Sequence, residues 1–132
     1  MKTYTLLAQA AAFALVATVA GAEQVPRFYQ DTYPEHGLKS RLEAEGVLMG
    51  EGAQLDAKTR ELIALGVAAQ IPCQYCVYVH DRNARTYGAS EAEIREAVAT
   101  AAHVRPWSTV LNGMAYDFEA FKAEVDAMPG PR

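Results

Sequence analysis

Apolar residues recur at helical spacing along most of the chain after residue 36, and no stretch alternates apolar and polar positions for more than a few residues. The clearest helical pattern covers residues 57–70, directly after Asp56, a residue type that favours helix N-caps. Residues 23–34 contain two prolines and several polar side chains and predict an extended lead-in. The pattern as a whole predicts an all-α domain.

Residues that start or stop helices mark the predicted boundaries. Pro72 suits the first turn of a helix, since the missing N–H would be unpaired there. Gly88 is a good helix terminator, and Ser90 with Glu93 forms a capping box that opens the next helix. Pro106 is expected to open a fifth helix. The predicted helices therefore cover residues 36–49, 57–70, 72 or 73 to 87, 91–103, and a final segment from residue 106.

The first 22 residues have the pattern of an export signal. Lys2 precedes an apolar run over residues 4–19, and Ala20-Gly21-Ala22 is a small-x-small cleavage motif. These features predict a signal peptide at residues 1–22, a single mature domain at 23–132, and a periplasmic or secreted protein. The alternative is that the same run is retained as a membrane anchor.

Composition narrows the range of functions. A chain of 132 residues is one domain with a modest core, which association with other copies would help to stabilise. The formal net charge is −4. Because nucleic-acid binding requires a basic surface, we expect no nucleic-acid partner.

The cysteines lie close together, at Cys73 and Cys76. A bridge across so short a loop restrains the unfolded chain little, so chemistry explains the pair better than stability does. His80 follows at i+7 from Cys73, and all three residues share one face of the predicted helix. The helix dipole favours a thiolate at Cys73, whereas His80, one turn from Cys76, favours a thiolate there.

Glu61 is the candidate partner of His80. If helices 57–70 and 73–87 fold back as an antiparallel pair, Glu61 and His80 lie at nearly the same level, offset by about 3 Å. Glu61 would then orient the imidazole and raise its basicity. The alternative is an exposed helix residue that makes an i,i+4 contact.

A zinc site is the main metal-based alternative for Cys73, Cys76 and His80, with Glu61, His103 or water as the fourth ligand. Three ligands on one helix do not easily surround a tetrahedral ion, so we expect no metal site. Thiol chemistry at this pair would require no organic cofactor. At the end of the predicted fourth helix, His103 would instead interact with the helix dipole.

Aromatic residues near the dithiol have two interpretations. Tyr75, Tyr78 and Tyr87 could line a substrate pocket, but aromatic residues on a packed helix more often belong to the core. Trp107 and Phe118 are expected in the core or in a subunit interface.

Residues 55–98, LDAKTRELIALGVAAQIPCQYCVYVHDRNARTYGASEAEIREAV, closely resemble the carboxymuconolactone decarboxylase superfamily, and within it the alkylhydroperoxidase D-like (AhpD-like) branch. The resemblance implies an AhpD-like helical bundle that assembles into homotrimers or hexamers. It also implies a peroxide-reducing dithiol in which Cys76 attacks and Cys73 resolves. In this scheme Glu61 and His80 form a proton relay.

One departure from the family pattern concerns the residue before the second cysteine. The best-known AhpD enzymes have a histidine there, and this chain has Tyr75. A tyrosine is a poor base at neutral pH, so part of the family's proton relay is missing.

The resemblance and the residues together predict a thiol-dependent hydroperoxide reductase with peroxiredoxin-type activity. Its partners would be a small hydroperoxide and a thiol reductant protein, which for an exported protein must also be exported. The alternatives are an exported thiol–disulfide oxidoreductase and a non-enzymatic module that senses redox state or binds metal. Lactone or decarboxylase chemistry fits less well, because that branch does not rely on a Cys-x-x-Cys pair.

Overall fold

The computed structural model describes residues 25–130, and the predicted signal peptide lies outside this range. The described backbone is helical and contains no strand, which confirms the all-α prediction. The six helices are α1 (Arg27–Thr32), α2 (Glu35–Met49), α3 (Ala57–Gln70), α4 (Gln74–Thr86), α5 (Glu91–Gly113) and α6 (Phe118–Asp126).

The chain divides into two compact units between Arg41 and Leu42, inside α2. In the first unit, the extended lead-in expected over residues 23–34 is wrong for α1. Pro26 stands at the N-cap of α1, where a proline costs no hydrogen bond, and Arg27 forms an i,i+4 ion pair with Asp31 at 3.6 Å. In this sequence the prolines flank a short helix and do not prevent it.

The second unit is built around α3. Asp56 caps this helix, because its carboxylate accepts the Thr59 backbone N–H at 2.9 Å. The residues that α3 buries are Glu61, Leu65, Gly66 and Ala68. Gly66 faces α5, and a Cβ at this position would lie 3.3 Å from the Cβ of Ala101. The missing side chain therefore allows α3 and α5 to approach closely.

Helices α3 and α4 form the expected antiparallel pair. The connection is short: α3 ends at Gln70, and Cys73 is the N-cap of α4. The backbone N–H of Cys73 donates to the carbonyl of Ala68 at 3.1 Å, which fixes the turn. The helix thus begins slightly later than predicted, and Pro72 precedes it. Cys73 lies outside the helix but directly at its N-terminus.

Helix α5 runs in the same direction as α3. Near the start of both helices, Lys58 Nζ lies 2.6 Å from Glu93 Oε1, and near the end of α3 the Gln70 side chain donates to the Ala101 carbonyl at 2.6 Å. Gly88, with φ of 85°, makes the turn before α5, and Ser90 and Glu93 form the predicted capping box.

The helix break predicted before Pro106 is wrong. Helix α5 is 23 residues long and contains Pro106 in its interior. A proline inside a helix leaves the carbonyl four residues earlier without its usual donor. Both Pro106 and Ala102 are exposed, so water can satisfy that carbonyl. His103 consequently lies in the middle of α5, and its expected position at a helix end is also wrong.

The buried apolar core of the described residues is small and lies where α3, α4 and the first half of α5 meet. It consists of Leu65, Ala68, Ala84 and Ile94. The second half of α5 and its C-cap residue expose a row of large apolar side chains: Val104, Trp107, Val110 and Met114. Trp107 and Phe118 are also exposed, so neither belongs to the core of residues 25–130.

Arg60 anchors the loop that leads into α3. Its guanidinium donates to the carbonyls of Met49 at 2.7 Å and Gly50 at 3.3 Å, and also to the carbonyl of Leu55. These contacts connect the last turn of α2 to the first turns of α3, where Glu61 is the next residue. None of the helices between residues 25 and 130 has the length and apolar character of a membrane-spanning helix.

Candidate active site

The two cysteines form a disulfide at the N-terminus of α4. The sulfur of Cys73 accepts the backbone N–H of Cys76 at 3.2 Å, in the position that a capping side chain usually occupies. Both residues are partly exposed. Unpaired N–H groups and the helix dipole at this end stabilise negative charge, so a thiolate formed on reduction is favoured here.

Glu61 and His80 are in direct contact. Oε2 of the Glu61 carboxylate lies 2.6 Å from Nδ1 of His80, although 19 positions separate them in the sequence. Glu61 is only 5% exposed, so the alternative of a solvated helix residue is wrong. The antiparallel turn at Pro72 brings the two side chains to the same level, as the hairpin argument predicts.

The contact determines how the imidazole is used. A carboxylate at Nδ1 favours the tautomer with a proton on that nitrogen, which leaves Nε2 free to accept a proton. His80 is partly exposed, and it lies one turn after Cys76 on α4. The arrangement can therefore support proton transfer between the solvent-accessible side of the ring and a nearby thiol.

Asn83 also belongs to the site, although it was not predicted from the sequence. Its side-chain Nδ2 donates to the second carboxylate oxygen of Glu61, Oε1, at 3.4 Å. Asn83 is partly exposed and lies three residues after His80, so both side chains point from α4 toward α3. The i+3 spacing from His80 was the available signal. It could not be used without knowing which helix face meets Glu61.

The tyrosines near the dithiol do not belong to the core. Tyr75 is 77% exposed and Tyr78 is 72% exposed, and Tyr87 is also exposed. The expectation that they are core residues is wrong, because α4 packs only its opposite face, with Ala84 buried, against the rest of the unit. Two aromatic side chains therefore stand in solvent within one turn of the disulfide.

Ion pairs connect the helices around the site. Arg85 on α4 contacts Asp81 at 3.0 Å and Glu91 on α5 at 2.9 Å. Hydrogen bonds from Arg85, and secondarily from Arg95, lower the pKa of Glu91. Where α3 contacts α5, hydrogen bonds from Lys58 and from Ser90 lower the pKa of Glu93 to about 2. These ion pairs connect α5 to the two helices that carry the dithiol and Glu61.

Metal binding was the other interpretation of the dithiol and His80. Among residues 25–130, no group of three His, Cys, Asp or Glu side chains is arranged to hold a metal ion. In the present geometry Cys73 is bonded to Cys76, and His80 contacts Glu61. His103 lies far along α5 and is exposed.

Comparison with known proteins identifies relatives. The Carboxymuconolactone decarboxylase family profile matches residues 38–117. One relative, "Uncharacterized protein 4 in cox locus" of Paracoccus denitrificans, is 41% identical over 59 residues, which cover 45% of this chain and 52% of the relative. An uncharacterized protein of Haemophilus influenzae is 52% identical over 52 residues, covering 39% of this chain and 44% of that protein. The chain thus matches only about half the length of these relatives.

A solved structure is also similar. The alkylhydroperoxidase AhpD core from Rhodospirillum rubrum aligns with a TM-score of 0.64 and 27% sequence identity, over 74% of this chain and 73% of that one. This similarity supports the architecture rather than an activity. The family match, which covers more than half of the sequence, and the AhpD-like fold lead to one conclusion: the chain belongs to the carboxymuconolactone decarboxylase family, and its structure is AhpD-like.

Proposed function

We propose that this protein is a thiol-dependent hydroperoxide reductase that uses Cys73 and Cys76 as its redox centre. The observation that carries the proposal is the 2.6 Å contact between Glu61 Oε2 and His80 Nδ1, beside a disulfide at a helix N-terminus. Structural similarity to an alkylhydroperoxidase core supports it. A buried carboxylate that orients an imidazole next to a dithiol is suited to activating a thiol.

The reaction begins with the reduced dithiol. Nε2 of His80 takes the proton of Cys76, and the thiolate attacks the terminal peroxide oxygen of ROOH. The O–O bond breaks, Cys76 becomes a sulfenic acid, and the alkoxide leaves as ROH with the proton held by His80. The sulfur of Cys73 then attacks the sulfur of the sulfenic acid and forms the disulfide. The S–O bond breaks, and the hydroxide takes the thiol proton of Cys73 and leaves as water.

The disulfide must be reduced before another cycle. A dithiol reductant attacks one sulfur, passes through a mixed disulfide and leaves oxidised, which restores both thiols. Overall, ROOH and two reductant thiols give ROH, water and a reductant disulfide. In the proposed reaction Glu61 keeps its charge and stabilises the imidazolium while His80 carries the proton.

A single-turnover experiment tests the proposal. Fully reduced protein is mixed with a stoichiometric organic hydroperoxide, and free thiols and intact mass are followed over seconds to minutes. We expect both thiols to disappear together with a mass loss of two hydrogens, and ROH to form in equal amount. Thiols that survive unchanged would overturn the proposal.

Thiol–disulfide exchange is the second candidate, and the exposure of Tyr75 and Tyr78 favours it. Exposed aromatic side chains beside a redox pair are suited to contact another polypeptide, whereas a small peroxide does not need them. Reduction of a disulfide-bonded peptide by the reduced protein, with no reaction toward hydroperoxide, would support this alternative.

His80→Ala separates both enzyme functions from a passive redox module. At neutral pH we expect this variant to react with hydroperoxide about 100-fold more slowly, since the general base is lost. A passive module would keep its thiol reactivity. His103→Ala, at an exposed position on α5, is the matched control.

The exposed apolar face of α5 is proposed to contact a second copy of this chain. Trp107 is 62% exposed and Met114 is 76% exposed. Exposing so much apolar surface to water is unfavourable, and the small core of the described residues does little to offset it. Trp107→Glu should shift the protein toward monomer in light-scattering measurements. A wild-type protein that is monomeric at high concentration would overturn this assembly.

Export is the remaining proposal, and it rests on the sequence of residues 1–22. Mass measurement of the protein recovered from the periplasm of an expression host tests it. A mature start at Glu23 supports a cleaved signal peptide. An uncleaved, membrane-bound product supports the anchor.

A further inference from the structure

Glu61 has two carboxylate oxygens, and both have partners on α4. Oε2 lies 2.6 Å from His80 Nδ1, and Oε1 accepts the Asn83 side-chain amide at 3.4 Å. Because Glu61 is buried, these two side chains take the place of bulk water as partners of its carboxylate. Each oxygen is therefore directed by a different side chain.

We propose that Asn83 is a positioning residue for the Glu61–His80 pair. Its amide holds Oε1, so that the carboxylate plane stays turned with Oε2 toward the imidazole. Asn83 does not contact the dithiol, and it acts through Glu61. The inference rests on the proposed function, because it assigns Asn83 to the same proton relay.

Four cationic side chains on these helices are engaged elsewhere. In the described part of the chain, Lys58 pairs with Glu93, Arg85 with Asp81 and Glu91, and Arg95 with Glu91, while Arg60 donates to backbone carbonyls. These cations are thus committed to groups other than Glu61. A neutral amide has a specific advantage at Oε1, since it orients the carboxylate without neutralising its charge.

Asn83→Leu removes the donor while keeping a similar volume. We expect the reduced variant to react at Cys76 about 10-fold more slowly at neutral pH, because a hydrogen bond to a charged group is lost. Iodoacetamide alkylation, with the modified cysteine identified by mass spectrometry, measures this rate without any peroxide. In steady-state peroxide assays kcat should fall while KM stays unchanged, since Asn83 does not contact substrate.

Thr86→Val is the matched control. Thr86 lies three residues after Asn83 on α4, and its hydroxyl donates to the Arg82 carbonyl of the same helix, at 3.0 Å. This variant should alkylate at the wild-type rate. Equal rates for Asn83→Leu and the wild type would overturn the proposal, and so would an equal loss in Thr86→Val.

Asn83→Asp distinguishes a positioning role from a purely structural one, because only a positioning role predicts that the effect on the alkylation rate depends on pH. At low pH the new carboxyl shares a proton with Glu61 and can still donate to it, whereas at higher pH both groups are charged and repel. The alkylation rate relative to wild type should therefore fall as pH rises. A ratio that is constant with pH would overturn the positioning role, and this variant also serves if Asn83→Leu does not fold.

The two proposals fail in different ways. If the wild type does not reduce hydroperoxide but Asn83→Leu still slows Cys76 alkylation, the positioning role stands and the proposed function fails. If the wild type reduces hydroperoxide and Asn83→Leu alkylates normally, the reverse holds.

Discussion

The carboxylate of Glu61 contacts the imidazole of His80 at 2.6 Å, across the interface between α3 and α4. This contact depends on the short turn between the helices, because a longer connection would not fix the level at which they meet. It joins the most buried charged group of the second unit to a partly exposed ring near the dithiol. Removing a carboxyl group from water carries a desolvation penalty, so a buried pair of this kind is a candidate functional site.

Glu61→Gln tests the charge in this contact. The amide keeps the size of the side chain but cannot stabilise an imidazolium, so we expect hydroperoxide reduction to slow by about 10- to 100-fold at neutral pH. Stopped-flow measurement of thiol loss provides the rate. Glu96→Gln, an exposed carboxylate on α5, is the control with the same chemical change and should react like the wild type.

A Glu61→Gln variant as fast as the wild type would remove Glu61 from the relay. A variant that is slow but also loses helical signal in circular dichroism would report a folding defect. Both measurements are therefore made on the same sample.

The sequence predicted the central part of this fold because its signals are local. Asp56, Gly88 and the Ser90–Glu93 capping box act within one turn of backbone, and each is found where expected. The hairpin argument for Glu61 also needed only helix rise and a short turn. These features require no knowledge of distant packing.

The errors arose where solvent or packing decides the outcome. Pro106 is tolerated because its part of α5 is exposed, and Tyr75 is exposed because α4 packs only one face. Asn83 was missed for the same reason, since its role depends on which face of α4 meets Glu61. A helical pattern gives spacing along an element but not the neighbour of each face.

The ion pair between Lys58 and Glu93 predicts a loss of stability in acid. The pKa of Glu93 is lowered to about 2 from 4.5, mainly by the Lys58 hydrogen bond and then by Ser90. A lowered pKa in the folded state stabilises the fold above the unfolded value, and this contribution disappears as pH falls from 4.5 toward 2. Both side chains are more than one-third exposed, at 35% and 39%, so added salt should weaken the effect.

Urea unfolding of the wild type and Glu93→Gln at a series of pH values tests this. The wild type should have the higher midpoint at neutral pH, and the difference should shrink through the acid range until the curves coincide. Glu96→Gln, at an exposed acid on α5, controls for the general effect of removing a charge. A difference that persists unchanged at the acid limit would contradict the assignment to Glu93.

Leu65 carries much of the small core, and it is only 2% exposed. Leu65→Ala should lower the free energy of unfolding by about 2–5 kcal/mol, from lost burial and the cavity left between the helices. Val47→Ala, at a position that is 80% exposed on α2, should change it by less than about 0.5 kcal/mol. Chemical denaturation gives both values, and similar losses for the two variants would show that Leu65 is not a core residue of the folded protein.

Tyr75 is the position where this chain departs from the best-known AhpD enzymes, and the exposed ring leaves room for a different side chain. A histidine side chain titrates at about pH 6.5 and can act as a base at neutral pH. Tyr75→His would therefore place a second base directly before Cys76. We expect hydroperoxide reduction to rise several-fold at neutral pH. The gain stays below the full effect of a fixed general base, since an exposed ring is not held in one orientation.

Tyr78→His is the control for this substitution. Tyr78 lies three residues further along α4 and is similarly exposed, at 72%, but it does not adjoin Cys76 in the sequence. If both variants gain equally, the effect comes from added positive charge or histidine content. If only Tyr75→His gains, the missing family histidine limits the peroxide reaction. If neither variant gains while disulfide-bonded peptides are reduced rapidly, tyrosine at this position suits disulfide exchange, and the second candidate function becomes the better one.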